Sequence, residues 1–262
     1  MLYKKVIIIL LLVIIILILC LLLRNKEQFI NLNGINSFDK YMYINLENRK
    51  DRKKQIKNEL AKMNIPESKI IRIDAVYNKY NGHIGCCSSH IKAINKAKQM
   101  KLPYVVIFED DFVFTKSKAV VDKKINHFLK MYPNFNVIQF TTVHKHLRDI
   151  NDKNVKKVDS ASTSSAYILN SNFYDKLLND LNESKRKMEE EMVELWKKNK
   201  KNEKIYETDY ALDQHWNDLQ KKSEWYIFDP YIGTQGGEAG ASSIMKVIES
   251  FINFKRFYSI NV

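Results

Sequence analysis

Apolar positions follow two patterns along the chain. The first is one unbroken run at residues 6–23, made of Val, Ile, Leu and a single Cys. At about 1.5 Å per helical residue it reaches roughly 27 Å, close to one bilayer core. Lys4 and Lys5 precede it, and Arg24 and Lys26 follow. A cleaved signal has a shorter apolar region, about 7–15 residues, ending in small side chains. This run is longer and ends Leu-Leu-Leu-Arg. It predicts an uncleaved transmembrane anchor, with residues 1–5 as a short basic N-terminus and 24–40 as a polar stalk. Basic residues on the two flanks are nearly balanced, so they do not set the orientation. The expectation is a single-pass protein, type II with a lumenal domain or set in a viral or host membrane.

The second pattern fills residues 41–262, the expected globular domain. Short buried strands alternate with helical periodicity. Residues 41–46 read as a strand. Asn48 then caps a helix over 49–63, with Ile56, Leu60 and Met63 at helical spacing. A strand at 70–73, a loop at 74–82, a helix from about 86 to 100 and a strand at 104–108 follow. Further strands are expected at 137–140, 167–169 and 225–229, and helices from about 172 and over 207–219. Residues 141–158 and 233–243 read as loops, and 185–204 as a charged helical surface. Strands alternating with helices predict an α/β fold with a mostly parallel central sheet. Such sheets bind ligands beyond the carboxyl ends of their strands. Three polar features fall at those ends: Asn45 to Arg52, the loop from Asp74, and Glu109-Asp110-Asp111.

Composition narrows the classes. Apolar residues at 45% exclude a disordered chain, and 3 Cys exclude a disulfide scaffold. The net charge of +13 suits phosphate ligands, membrane surfaces or nucleic acid. A nucleic-acid module interleaves basic and exposed aromatic residues on one face. Here the aromatics lie mostly in strands, and residues 185–204 alone hold a net +3 beside their own Glu residues. No nucleic-acid partner is expected.

The acidic triplet is the sharpest chemical feature. Three adjacent carboxylates at the end of a buried strand repel one another, and a hard divalent cation compensates them. Arg49 and Arg52 share one face at a helix start, suited to a diphosphate. Gly85-Cys86-Cys87-Ser88-Ser89-His90 reads as a helix opening with free backbone N–H groups. As a zinc motif it lacks a second Cys pair; a Cys-His nucleophile stays open as a minor alternative, since adjacent residues on one helix seldom align for proton transfer.

In this order the features resemble glycosyltransferase family 25, which includes lipooligosaccharide and collagen hydroxylysine galactosyltransferases. The resemblance rests on Ile44-Asn45-Leu46 with Arg49, Asp51 and Arg52, on Ala75, on Gly85-Cys86 with Ser89-His90, and on Phe108-Glu109-Asp110-Asp111. Ser165 to Leu169, Leu212-Asp213, Gln235 and Ser242-Ser243-Ile244 extend it to about residue 245. Where the family often has Ser-Asp-Ile, this chain has Ser242-Ser243-Ile244. The resemblance implies a GT-A type nucleotide-sugar fold and inverting transfer from a UDP-sugar to a glycan or glycoprotein acceptor. It implies Mn²⁺ or Mg²⁺ held by Asp110 and Asp111, with His215 as a further ligand. Asn45, Arg49, Arg52, Asp74, Ala75, Ser89, His90 and Glu109 would face the donor. Asp213, or Asp209 one turn earlier, would be the base. A catalytically inactive anchored binding protein of the same fold is the alternative.

Overall fold

The computed structural model describes residues 3, 12–14, 32–143, 145–198 and 208–236. The chain forms two compact units, 1–31 and 32–262. In the first, Leu12, Val13 and Ile14 are helical and exposed. Among the described residues no helix is long and apolar enough to cross a membrane. The expected anchor, apart from 12–14, lies outside them.

The second unit begins earlier than the pattern suggested. Gly34–Ser37 form a 3-10 turn within the stretch read as stalk. Ile35 and Phe38 are buried, and the Gly34 and Ile35 amides donate to Asn126 and Asp122. Two apolar side chains and two anchored amides make this stretch part of the domain.

Ten strands follow among the described residues: β1 (Tyr41–Asn45), β2 (Ile70–Asp74), β3 (Tyr104–Glu109), β4 (Phe112–Phe114), β5 (Val137–Gln139), β6 (Lys145–Arg148), β7 (Val155–Ala161), β8 (Ala166–Asn170), β9 (Trp225–Phe228) and β10 (Gly233–Gln235). The helices are α1 (Lys50–Lys62), α2 (Gly82–Gln99), α3 (Lys118–Met131), α4 (Tyr174–Lys197), and the short α5 (Leu212–His215) and α6 (Asn217–Lys221). Eight strands form one sheet in the order β2-β1-β3-β8-β5-β9-β7-β6, while β10 and β4 pair separately. β1 is parallel to β2 and β3, and β5 to β9. Only β8 and β7 oppose the rest. The sheet is thus mostly parallel in direction but mixed in pairing.

Every residue of β1 is buried, as expected for a strand covered on both faces. Strand alternation sends Met42 and Ile44 into a core shared with Ile94 and Ala97 of α2 and Leu177 and Leu181 of α4. On the other face Phe108, Phe112, Phe114, Phe128, Phe140 and Phe228 pack ring against ring.

Several elements differ from the sequence pattern. Residues 141–158, read as a loop, contain β6 and the start of β7. The burial of β7 does not follow simple alternation, and β6 is an exposed edge. The helix from about 172 and the part of the charged surface up to Lys197 are one 24-residue helix, α4; residues 199–204 lie outside the described residues. Its buried stripe, Leu177, Leu181 and Met188, continues from one part into the other. Over 208–219 the chain forms two short helices split at Trp216 rather than one. β10 occupies the start of the expected 233–243 loop; residues 237–243 lie outside the described residues. No element was expected at α3 or β4.

Candidate active site

The site grows from three adjacent parallel strand ends. β1 ends at Asn45, which is 1% exposed. Its amide nitrogen donates to Asp110 Oδ2 at 2.7 Å, and its carbonyl oxygen accepts from Arg72 Nε at 3.1 Å. Its backbone oxygen accepts from the Ala75 amide at 3.1 Å. One side chain therefore ties together the ends of β1, β2 and β3.

Two buried carboxylates meet one buried guanidinium beside it. Arg52, on the first turn of α1, places Nη1 3.1 Å from Asp110 Oδ1 and 3.2 Å from Asp111 Oδ2. Arg49 caps the same helix and holds Asp51 at 2.7 Å. Asn48 does not cap; the helix starts at Lys50 and its cap position is Arg49, without a side-chain bond. Burial raises the Asp110 carboxyl above its ordinary range. Asp111 is pushed up to about 7 by burial and by the charge of Glu109, against the pull of Arg52. Asp111 Oδ1 is buried with no hydrogen-bond partner. An anionic oxygen left bare inside a protein is costly, and a cation satisfies it. The donor set therefore fits a hard divalent ion at Asp111 Oδ1, with Asp110 beside it.

Glu109 turns to different partners. Burial pushes its carboxyl up, but the His90 imidazole, the Ser164 hydroxyl and the Arg52 charge hold it below the ordinary range. His90 is fully buried, with Nε2 3.4 Å from Glu109 Oε1 and Nδ1 2.9 Å from Tyr167 Oη. The helix carrying His90 opens at Gly82, not near Cys86, because Asn81 caps it by accepting from the His83 and Ile84 amides. The backbone N–H groups of 86–90 are therefore inside the helix and are not free for an anion. Gly85 serves another purpose: a Cβ there would lie 2.5 Å from the Val76 carbonyl oxygen. The Ser89 hydroxyl donates to Gly85 O and accepts from the Val76 amide at 2.8 Å. Ser89 thus pins the 75–81 loop. Asp74 is exposed and paired with Arg72. A cleft of about 180 Å³ opens among these elements, lined by Arg49, Arg52, Tyr77, Cys86, Glu109 and Asp111 among others.

The remaining candidates are dispersed. Asp213 Oδ2 accepts from the Thr163 amide at 2.8 Å. Burial raises its carboxyl, and Glu109 adds to the rise, which places the two carboxylates within electrostatic reach. Asp209 is exposed. His215 does not turn to the triplet: its Nδ1 lies 3.2 Å from Asp180 Oδ2 on α4. Thr163 and Ser164 were not singled out from the sequence, although the 160–165 stretch is rich in Ser and Thr, and Tyr167 was read only as part of the resembling strand, without a role in the site. They reach the site because β8 runs antiparallel beside β3, pairing Tyr167 with Ile107.

The family model described as Glycosyltransferase family 25 (LPS biosynthesis protein) matches residues 80–193, from the 75–81 loop through the acidic triplet into α4. Residues 80–193 are thus similar to glycosyltransferase family 25. The matched segment contains His90, the triplet and Tyr167, and the match supports a glycosyltransferase. No curated protein matches the chain significantly. Among solved structures, UDP-glucose pyrophosphorylase complexed with UDP-glucose aligns at 10% identity and a TM-score of 0.44, covering 82% of this chain and 81% of that one. A glycosyltransferase involved in the glycosylation of the major capsid of PBCV-1 aligns at 9% identity and a TM-score of 0.36, covering 72% and 92%.

Proposed function

We propose that the chain transfers a sugar, galactose or a related hexose, from a UDP-sugar to a hydroxyl of a glycan or glycoprotein, with inversion and with Mn²⁺ or Mg²⁺. The observation that carries this reading is the buried Asp110–Asp111 pair, bridged by Arg52 at the mouth of the cleft, with one carboxylate oxygen unpartnered. Asp111 and Asp110 would hold the ion, which supplies charge neutralisation of the leaving diphosphate. Arg49 and Arg52 face the same cleft and favour an anionic donor. The loop at Asp74–Ala75 is the subsite for base or ribose.

Asp213 is the base in this reading. A carboxylate whose proton affinity is raised by burial is better matched to a sugar hydroxyl. It takes the acceptor proton as the acceptor oxygen bonds to the anomeric carbon. The bond from that carbon to the diphosphate breaks, and UDP leaves with the electron pair. Attack from the face opposite the diphosphate inverts the centre. Asp209 is the secondary candidate, although it lies exposed in the turn ahead of α5 and not on the helix that carries Asp213. Residues 6–23 would anchor the enzyme as a single-pass membrane protein, supported by the length of the apolar run.

The test uses the full chain in detergent, a panel of UDP-sugars and Mn²⁺, with UDP release as the readout. Activity with at least one donor that falls at least about 100-fold in Asp111→Ala is expected. Equal activity of the two proteins across every donor overturns the metal-dependent reading.

A further inference from the structure

One group of side chains next to the cleft is not used by the transfer reading as a metal centre. Cys86, His90 and Glu109 each offer one ligand atom, and the three atoms lie within 4.8 Å of one another. Among the described residues this is the one such group. Cys86 and His90 are one turn apart on α2, so both project toward the end of β3 that carries Glu109. His90 Nε2 and Glu109 Oε1 are 3.4 Å apart, the separation of two ligands around a small tetrahedral ion. The other ring nitrogen, Nδ1, is held at 2.9 Å by Tyr167 Oη, and the two rings stack at 5.7 Å. A second partner of that kind orients a metal-bound imidazole.

We propose that Cys86, His90 and Glu109 form a zinc site, distinct from the hard-ion site at Asp111. The donor set decides the metal. Thiolate and imidazole select a borderline-soft ion such as Zn²⁺, whereas Asp111 and Asp110 offer only oxygen. Three protein ligands leave a fourth position open, and all three residues line the cleft, so water or a ligand group from the cleft completes the tetrahedron. Binding replaces the thiol proton of Cys86, which passes to solvent, and forms the S–Zn bond. Its consequence for the enzyme is positional: the ion clamps α2 to the end of β3 and neutralises Glu109 beside Asp110. Cys87, the next residue, is turned away, its sulfur 3.2 Å from Leu181 O in the core.

The experiment uses the metal alone. The full chain in detergent is stripped with chelator, dialysed, and titrated with Co²⁺ as a spectroscopic substitute for Zn²⁺, without sugar nucleotide. A near-ultraviolet thiolate-to-cobalt band with tetrahedral visible bands is expected, displaced by Zn²⁺. The band is lost in Cys86→Ser and kept in Cys87→Ala and Asp111→Asn. Tyr167→Phe keeps it with affinity about 10–100-fold weaker. A second readout does not depend on how the variants fold: Zn²⁺ slows alkylation of Cys86 in the wild type, followed by peptide mass spectrometry. Absence of a thiolate band together with unchanged alkylation of Cys86 overturns the zinc site. Loss of UDP release with an intact band overturns the transfer reading and leaves the zinc site standing.

Discussion

Replacing Asp111 by Asn should stabilise the metal-free protein while abolishing its activity. In the folded protein the Asp111 carboxyl sits at about 7, against an ordinary value of 3.8. That separation, at about 1.4 kcal/mol per pH unit, puts a ceiling of ~4 kcal/mol on the destabilisation caused by ionising it. Glu109 and Asp110 contribute part of that repulsion, so we expect about 2–4 kcal/mol. The sign follows from the raised value. Below the unfolded value the proton is bound in both states, and no penalty exists. As pH rises from the unfolded value through the folded value the wild type loses stability, and above the folded value the loss is complete. The amide variant carries no such charge. Its advantage should be near its full size at pH 8 and about a third of that at pH 5. For a domain of this size each kcal/mol moves the melting temperature by about 2–4 °C, so a rise of roughly 4–16 °C at pH 8 is expected. Paired thermal melts in chelator at the two pH values, with UDP release measured in parallel in Mn²⁺, decide it. A variant destabilised equally at both pH values would refute the account of a strained carboxylate waiting for a cation.

Arg52→Leu removes the guanidinium from two buried carboxylates, and a loss of about 3–5 kcal/mol in urea unfolding at pH 8 is expected, together with loss of transfer. Gly85→Ala forces a Cβ against the Val76 carbonyl, so the 75–81 loop must shift; a raised KM for the donor with a smaller change in kcat is expected. Asn81→Ala removes the cap of α2 and should cost about 1 kcal/mol by chemical denaturation. Asp213→Asn should lower kcat by about 10²–10⁴-fold with donor affinity unchanged, as measured by transfer rate and by donor titration.

The first half of the site was legible because its chemistry sits where strand periodicity stops. β1 and β3 are continuous apolar runs, and the abrupt change to Asn45 and to Glu109-Asp110-Asp111 marks their ends. The second half was not legible for two physical reasons. Period-2 alternation says nothing about direction, so the antiparallel insertion of β8 between β3 and β5 could not be read. That insertion is what brings Tyr167 and Ser164 to Glu109. Second, a helix start depends on one capping side chain. Asn81 moved the opening of α2 four residues ahead of the Cys-Cys-Ser-Ser pattern, and the expected anion cradle there vanished with it. His215 failed as a member of the site because its neighbour, Asp180, comes from a distant part of the chain.

Asn45 has a consequence for how such an enzyme could be altered. Its amide must give a proton to one neighbour and receive one from another, which a carboxylate cannot do. The strand ends it joins are therefore a fixed chassis, in which a change at one end misaligns the others. The 76–80 stretch lies outside that chassis, and Tyr77 within it is 72% exposed at the rim of the cleft. Exchange of donor preference is accordingly best attempted by grafting those five positions, with Asn45, Arg52 and the acidic end of β3 left untouched.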